Sequence, residues 1–322
     1  MSTSITTVAS RTANCMDESL RQRLESLNRD PMPASSPSAV LKQVVKAAMD
    51  IAVPRRPVRT PVERPTARPA TSSAQSAAGL LQRGDVVETS VGQHLRINLP
   101  LDQLWQGGTN LLAARQQFLR LVTSPTSTDD KRAPVGVHEF TRFIAALPDR
   151  TLALDLETCG LAGAALFLIG VLRQTAGVPR VELLLARNYG EEAAVLHSLW
   201  EIVADHDVLL TFNGKSFDWP MVVERSVRHR LPVPADRLKW THIDVLHHAR
   251  RRWKGQFPNC RLQTLERHVC RRTREGDIPG HAIPAAYANY VRTGFEREME
   301  AVLYHNALDL VTLFDLAHRL AA

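Results

Sequence analysis

Apolar and polar positions alternate in two textures along the chain, with the change near Gly79. Thr151–Glu157 is a short apolar run carrying two acids and reads as a buried strand. Leu166–Leu172 and Val181–Ala186 read as two further strands, separated by the turn Ala176-Gly177-Val178-Pro179. Glu191–Asp205 has helical periodicity through Ala194, Leu196, Leu199, Trp200 and Val203. Val208–Phe212 reads as another strand, ending in the Asn213-Gly214 turn. A helix is predicted from Trp219 to Arg230, with Pro220 in its first turn, where a missing N–H costs little. His242–Leu246 reads as the last strand, and helices fill most of Leu262–Ala322. This order predicts an α/β domain with a mixed central β-sheet flanked by helices.

Upstream, Val86–Thr89 and Leu95–Leu99 flank Val91-Gly92 and read as a small β-hairpin. Helical patterns follow around Leu111–Val122 and Val137–Leu147, so residues 79–150 read as an N-terminal hairpin and helical extension packed on the main domain, 151–322. The first 78 residues contain no glycine, and no aromatic residue precedes Trp105. Eight of the 19 prolines lie between Pro31 and Pro69, many beside arginine. A segment of this kind cannot bury enough surface to offset its ordering entropy, so 1–78 is expected to be a disordered Pro/Arg/Ser-rich tail. One exception is an amphipathic pattern over Ala39–Val53, where Ser38 could cap a short helix.

Composition narrows the class. With 44% hydrophobic and 23% charged residues, the chain has the make-up of an ordinary globular protein. No apolar run reaches the roughly 18 residues of a membrane span, and no apolar core follows a basic start. The four cysteines are scattered without a Cys-x-x-Cys pair, which argues against a disulfide framework or a structural zinc site. A cytoplasmic protein without a membrane partner is therefore expected. The net charge of +7 and pI near 9.6 permit a polyanionic partner.

Four carboxylates stand where a carboxylate is costly or oddly placed. Asp155 and Glu157 interrupt an apolar strand, and residues i and i+2 point to one face, so the two converge. Such like charges repel unless a cation lies between them; a wet edge strand is the alternative. Asp218 follows the string Asn213-Gly214-Lys215-Ser216-Phe217 at a strand–helix junction, where α/β sheets bind ligands and where Asp is also a favoured N-cap. Asp309 lies in the C-terminal helical pattern. There His305 is about 40° away around a regular helix and Tyr304 about 140° away, so His305 shares the face of Asp309. In isolation a solvent-facing His/Asp pair would serve as well.

Taken together, these strings resemble the DEDD exonuclease superfamily. Asp155-x-Glu157 is similar to its first motif, Asn213-x-x-x-Phe217-Asp218 to its second and His305-x-x-x-Asp309 to its third. The resemblance is to the YprB-like branch, through His242-Ile243-Asp244-Val245-Leu246, Leu262-Gln263-Thr264-Leu265-Glu266, and Asp277-Ile278-Pro279-Gly280 with Ile283-Pro284. It covers about 150–320 and implies a ribonuclease H-like fold with a mixed central sheet. The third motif departs from the family pattern. His305 has the spacing of the tyrosine-type subgroup and Tyr304 that of the histidine-type.

The resemblance further implies a metal-dependent 3′→5′ exonuclease of DNA or RNA. Two Mg2+ or Mn2+ ions would be held by Asp155, Glu157, Asp218 and Asp309, with His305 orienting or deprotonating the attacking water. Alternatives are a catalytically silent nucleic-acid-binding scaffold on the same fold and a structure-specific endonuclease. Nine Lys or Arg and one acid lie between Arg250 and Arg274. Arg250, Arg251 and Arg252, together with Asn213 and Lys215 beside the second motif, are the candidate nucleic-acid contacts. Cys159 reads as a small packing residue, and His247 and His248 as surface or packing residues.

Overall fold

The structure, a computed structural model, describes residues 79–122, 135–160, 164–238 and 240–322. The tail 1–78, with the pattern over 39–53, lies outside the described residues.

Seven strands form one mixed sheet: β1 (Asp85–Thr89), β2 (Gly92–Pro100), β3 (Thr151–Thr158), β4 (Leu166–Thr175), β5 (Val178–Leu185), β6 (Val208–Thr211) and β7 (Thr241–Asp244), in the order β1-β2-β5-β4-β3-β6-β7. The run β1-β2-β5-β4-β3 is antiparallel, whereas β6 is parallel to β3 and to β7. The upstream hairpin is thus joined to the main sheet through β2 and β5, with Ile97 opposite Leu183, instead of only packing against it. The β4–β5 turn is tighter than the sequence suggests. Ala176 and Gly177 alone form it, both with positive φ, and Val178 and Pro179 already belong to β5. A two-residue loop with that conformation matches the strand twist.

The longer helices are α1 (Gly108–Val122), α2 (Val135–Ala146), α3 (Glu192–Val203), α4 (Asp218–Arg228), α5 (Val245–Trp253), α6 (Ile283–Thr293) and α7 (Arg297–Ala321). Val245 and Leu246, expected in the last strand, open α5, because the Asp244 carboxylate accepts from Leu246 N–H and caps the helix. Leu152, Ala153 and Leu154 of β3 are buried between helical layers, as expected for a strand flanked by β4 and a parallel neighbour. α7 packs across β3 and β4. Phe167 stacks on Tyr287 of α6 with centroids 3.9 Å apart. Two backbone N–H groups at the start of the described chain, Leu80 and Leu81, donate to Glu300 of α7 at 2.7 and 2.9 Å.

One buried charge organises the far end of α7. Asp315 is fully buried and ion-paired with Arg115, with Arg272 at 2.9 Å and with Arg319 at 3.0 Å. Burial alone would raise its pKa, but Arg319, Arg115 and Arg272 hold it below the ordinary value. Asp315→Ala should therefore cost about 3–5 kcal/mol, because three guanidinium groups lose their shared carboxylate. Urea denaturation at pH 7 measures this; a loss below about 1 kcal/mol would show that the arginines find other partners.

Candidate active site

The candidate site is built where β3 ends. Asp155 and Glu157 are half-buried and lie opposite Gly170 and Leu168 of β4. Gly170 is needed here for space. A Cβ at that position would overlap Asn306 of α7, whose amide lies against the bare strand. From there Asn306 Nδ2 donates to Asp155 Oδ2 at 2.8 Å, fixing the carboxylate's orientation. Asp155 therefore owes its rotamer to a strand glycine opposite it and to a helix residue far along the chain.

Asp218 is the first residue of α4, after a turn bent by Asn213, which has φ of 70°. Its Oδ2 lies over Gly214, where a Cβ would overlap both that oxygen and the Thr211 side chain. Asp244 holds the turn from below, accepting from Asn213 N–H at 2.8 Å and Lys215 N–H at 3.2 Å. The Asn213 backbone and Lys215 backbone are thus tied to the end of β7, and Phe217 is left half-exposed beside Asp218.

α7 is regular from Arg297, so the third pair obeys helical geometry. His305 is buried, with Nε2 3.5 Å from Asp309 Oδ2, while Tyr304 is 48% exposed and lines a neighbouring cavity. His305 Nδ1 lies 2.8 Å from Asp277 Oδ1, so the ring is held on both sides. Arg274 spans the remaining acids. Its Nε lies 2.6 Å from Glu266, Nη1 3.4 Å from Asp277 and Nη2 2.5 Å from Asp309 Oδ1. That cavity, of about 580 Å³, adjoins Arg274, Asp277, Glu300 and Tyr304.

Electrostatics unite these groups. Burial raises the pKa of Asp155 well above its ordinary value, reinforced by Asp309, Glu157 and Asp218. Burial and then Asp309 push Glu157 up to about 8, against a hydrogen bond from Asn306. Asp218 rises to about 7 through burial, with Asp244 adding to it. Asp309 is also raised by burial, although Arg274 and His305 oppose the shift. Burial is thus the first cause for all four carboxylates, acidic neighbours reinforce it, and Arg274 offsets part of it at Asp155 and Asp309. Among the described residues, no three His, Cys, Asp or Glu side chains are drawn into a closed metal cage.

The other sequence candidates lie around this centre. Lys215 Nζ is 3.2 Å from Glu139 of α2, so its charge is partly satisfied within the chain. Arg251 and Arg252 are exposed on α5, and Arg250 is half-buried there. Of the nine basic residues from Arg250 to Arg274, Arg272 and Arg274 are ion-paired inward and do not face solvent. Burial raises the Cys159 thiol to about 11, which leaves it protonated at neutral pH. His247 is exposed, and His248 is buried against Glu139 at 2.7 Å.

No local sequence pattern marks Arg274, Asn306, Gly170 or a role for Asp277. Asp277 belongs to the Asp277-Ile278-Pro279-Gly280 string, and Asn306 stands out only as the polar residue after His305 on a mostly apolar helix.

The family model described as RNase H superfamily matches residues 152–321. An uncharacterized protein, YprB of Bacillus subtilis (strain 168), is 35% identical over 167 residues, which is 50% of this chain and 40% of that protein. The chain thus spans well under half the length of this relative. A solved family B DNA polymerase from the hyperthermophilic archaeon Pyrobaculum calidifontis aligns at a TM-score of 0.44 and 20% identity, covering 54% of this chain and 24% of the polymerase.

The raised carboxylates have a consequence for stability. Glu157 ionises near pH 4.5 when unfolded and near 8 when folded. Between those values the folded chain retains a proton that the unfolded chain releases, so stability falls as pH rises through this window. In metal-free buffer, the urea midpoint should drop from pH 5 to pH 8, and the drop should be shallower in Glu157→Gln. Parallel pH profiles for the two proteins would contradict the assignment.

Proposed function

The chain belongs to the RNase H superfamily, and on that premise we propose that it is a divalent-metal-dependent 3′→5′ exonuclease acting on DNA or RNA. The observation that carries this reading is the convergence of Asp155, Glu157, Asp218 and Asp309, each with raised proton affinity, from one strand end, one helix start and one helix face. The donor set fits a hard divalent cation: it offers carboxylate oxygens only, and four raised carboxylates are offset by a single guanidinium, Arg274, whose ion pair reaches only Asp309 among them. When bound, Mg2+ or Mn2+ would convert a water to hydroxide and offset charge on the leaving oxygen.

The remaining work belongs to the chain's own residues. Asn306 holds Asp155 in one orientation, and Asp244 holds the turn that presents Asp218. With Nδ1 on Asp277, His305 keeps Nε2 toward Asp309, where it can take a proton from an attacking water. Lys215, Asn213 and the α5 arginines would bind the phosphate backbone, Lys215 by exchanging Glu139 for a phosphate.

The test is degradation of 3′- and 5′-labelled DNA and RNA oligonucleotides, with circular substrates as a control. Stepwise loss from 3′ ends in Mg2+ or Mn2+, with circles left intact, is expected. Asp155→Asn should remove at least 99% of that activity without lowering the urea midpoint below wild type. Cleavage of circles would favour an endonuclease, and no cleavage of any substrate would favour a silent scaffold.

His305→Ala should lose at least a hundred-fold in turnover, in the range of general-base loss. Tyr304→Phe should lose less than three-fold, because that side chain faces the neighbouring cavity. The reverse order, measured on the same labelled oligonucleotide, would reassign the base.

A further inference from the structure

The segment between the helical turn ending at Cys270 and α6 carries two residues to one face of α7. Arg271 leaves that turn with φ of 59°, a left-handed end, and the chain then delivers Arg274 to Asp309 and Asp277 to His305. The Arg274 side chain is only 6% exposed and is surrounded by Glu266, Asp277 and Asp309. Although Nη2 and Asp309 Oδ1 are 2.5 Å apart, neither atom gains a well-angled hydrogen bond there. Nε, by contrast, makes a 2.6 Å hydrogen bond to Glu266, whose other oxygen accepts from Thr312 at 2.9 Å. The guanidinium is therefore anchored at its root, held at Nη1 by a long 3.4 Å hydrogen bond to Asp277, and paired with Asp309 chiefly by charge.

We propose that Arg274 is the resident counter-cation of the carboxylate cluster, and that a divalent cation ligated by Asp309 must exchange with it. This rests on the metal-dependent reading given above. A cation bound to a carboxylate oxygen lies about 2.1 Å from it, so a guanidinium nitrogen 2.5 Å from the same atom would face a like charge at close range. Both oxygens of Asp309 already face nitrogen, Arg274 on one and His305 on the other. Asp155 accepts from the neutral amide of Asn306 and is reached by the Arg274 charge without an ion pair, and Asp218 lies over a bare glycine. Cation loading is consequently ordered: the Asp155, Glu157 and Asp218 side fills first, and the Asp309 side fills only as Arg274 leaves. The adjoining cavity of about 580 Å³, between Arg274, Glu275, Glu300 and Tyr304, gives the tip space to move while Nε keeps Glu266.

The test is calorimetric titration of Mn2+ into the full chain, independent of any nuclease assay. Wild type should bind one ion, and a second at least ten-fold more weakly. In Arg274→Gln, which keeps donors for Glu266, the weaker site should tighten at least ten-fold and the stronger change less than three-fold. Identical isotherms would overturn the exchange while leaving the metal reading standing; no Mn2+ binding by either protein would sink both. Should Arg274→Gln fail to fold, wild type suffices. Phenylglyoxal labelling of Arg274, read by peptide mass mapping, should speed up at least five-fold when Mg2+ replaces EDTA, with Arg272 unchanged. An equal Arg274 rate in the two buffers would overturn the proposal.

Discussion

Repulsion among carboxylates is the constraint around which this fold is arranged. Asp155, Glu157, Asp218 and Asp309 raise one another's proton affinity or have it raised by burial, and no stable chain brings such groups together without compensation. The compensation is structural. β3 is clamped between β4 and β6, so its acids cannot move apart by sliding the strand. Gly170 admits Asn306 to Asp155, and Asp244 pins the turn before Asp218. α7, anchored across the sheet, supplies Asp309. Stability spent on this cluster is recovered in the apolar layers of β3, β4 and α7, where Leu154, Phe167 and Phe314 are fully buried.

Charge continues from this cluster into the core without a gap. Asp315 pairs with Arg272, which lies 3.8 Å from Glu266; Glu266 pairs with Arg274, and Arg274 with Asp309. Alternating signs along this path leave each buried ion a partner, which is the condition under which buried charges are tolerated. The same path joins the last turns of α7 to its middle, so the helix is tied to the segment before α6 at two levels.

Parts of this were legible in the sequence because simple periodicities govern them. A period of two puts Asp155 and Glu157 on one face, and a period of 3.6 separates His305 from Tyr304. What the periodicities could not show were contacts made across chain distance. Nothing local marks Gly170 as the partner of Asn306, since a strand glycine has several meanings. Arg274 reads as one more cation in a basic run, and only the fold reveals that it and Arg272 turn inward. The pattern over His242–Leu246 overruns the strand's end because Asp244 serves two elements, closing β7 and capping α5. The sheet's true width was hidden for a related reason. The β2–β5 pairing joins residues at least 80 positions apart, and a hairpin pattern alone does not tell where its outer edge docks.

The clamp between Leu80, Leu81 and Glu300 bears on how the molecule can be handled. Glu300 also lines the cavity beside Arg274 and Tyr304, so Leu80 and Leu81 are held at the edge of that cavity. A charged label placed at residues 79–81 would therefore sit beside that cavity, with its own charge added to the local field. Labels meant to leave that cavity undisturbed belong instead on a surface such as the β1–β2 turn at Ser90 and Val91, where the side chains are exposed and no acid of the cluster is anchored.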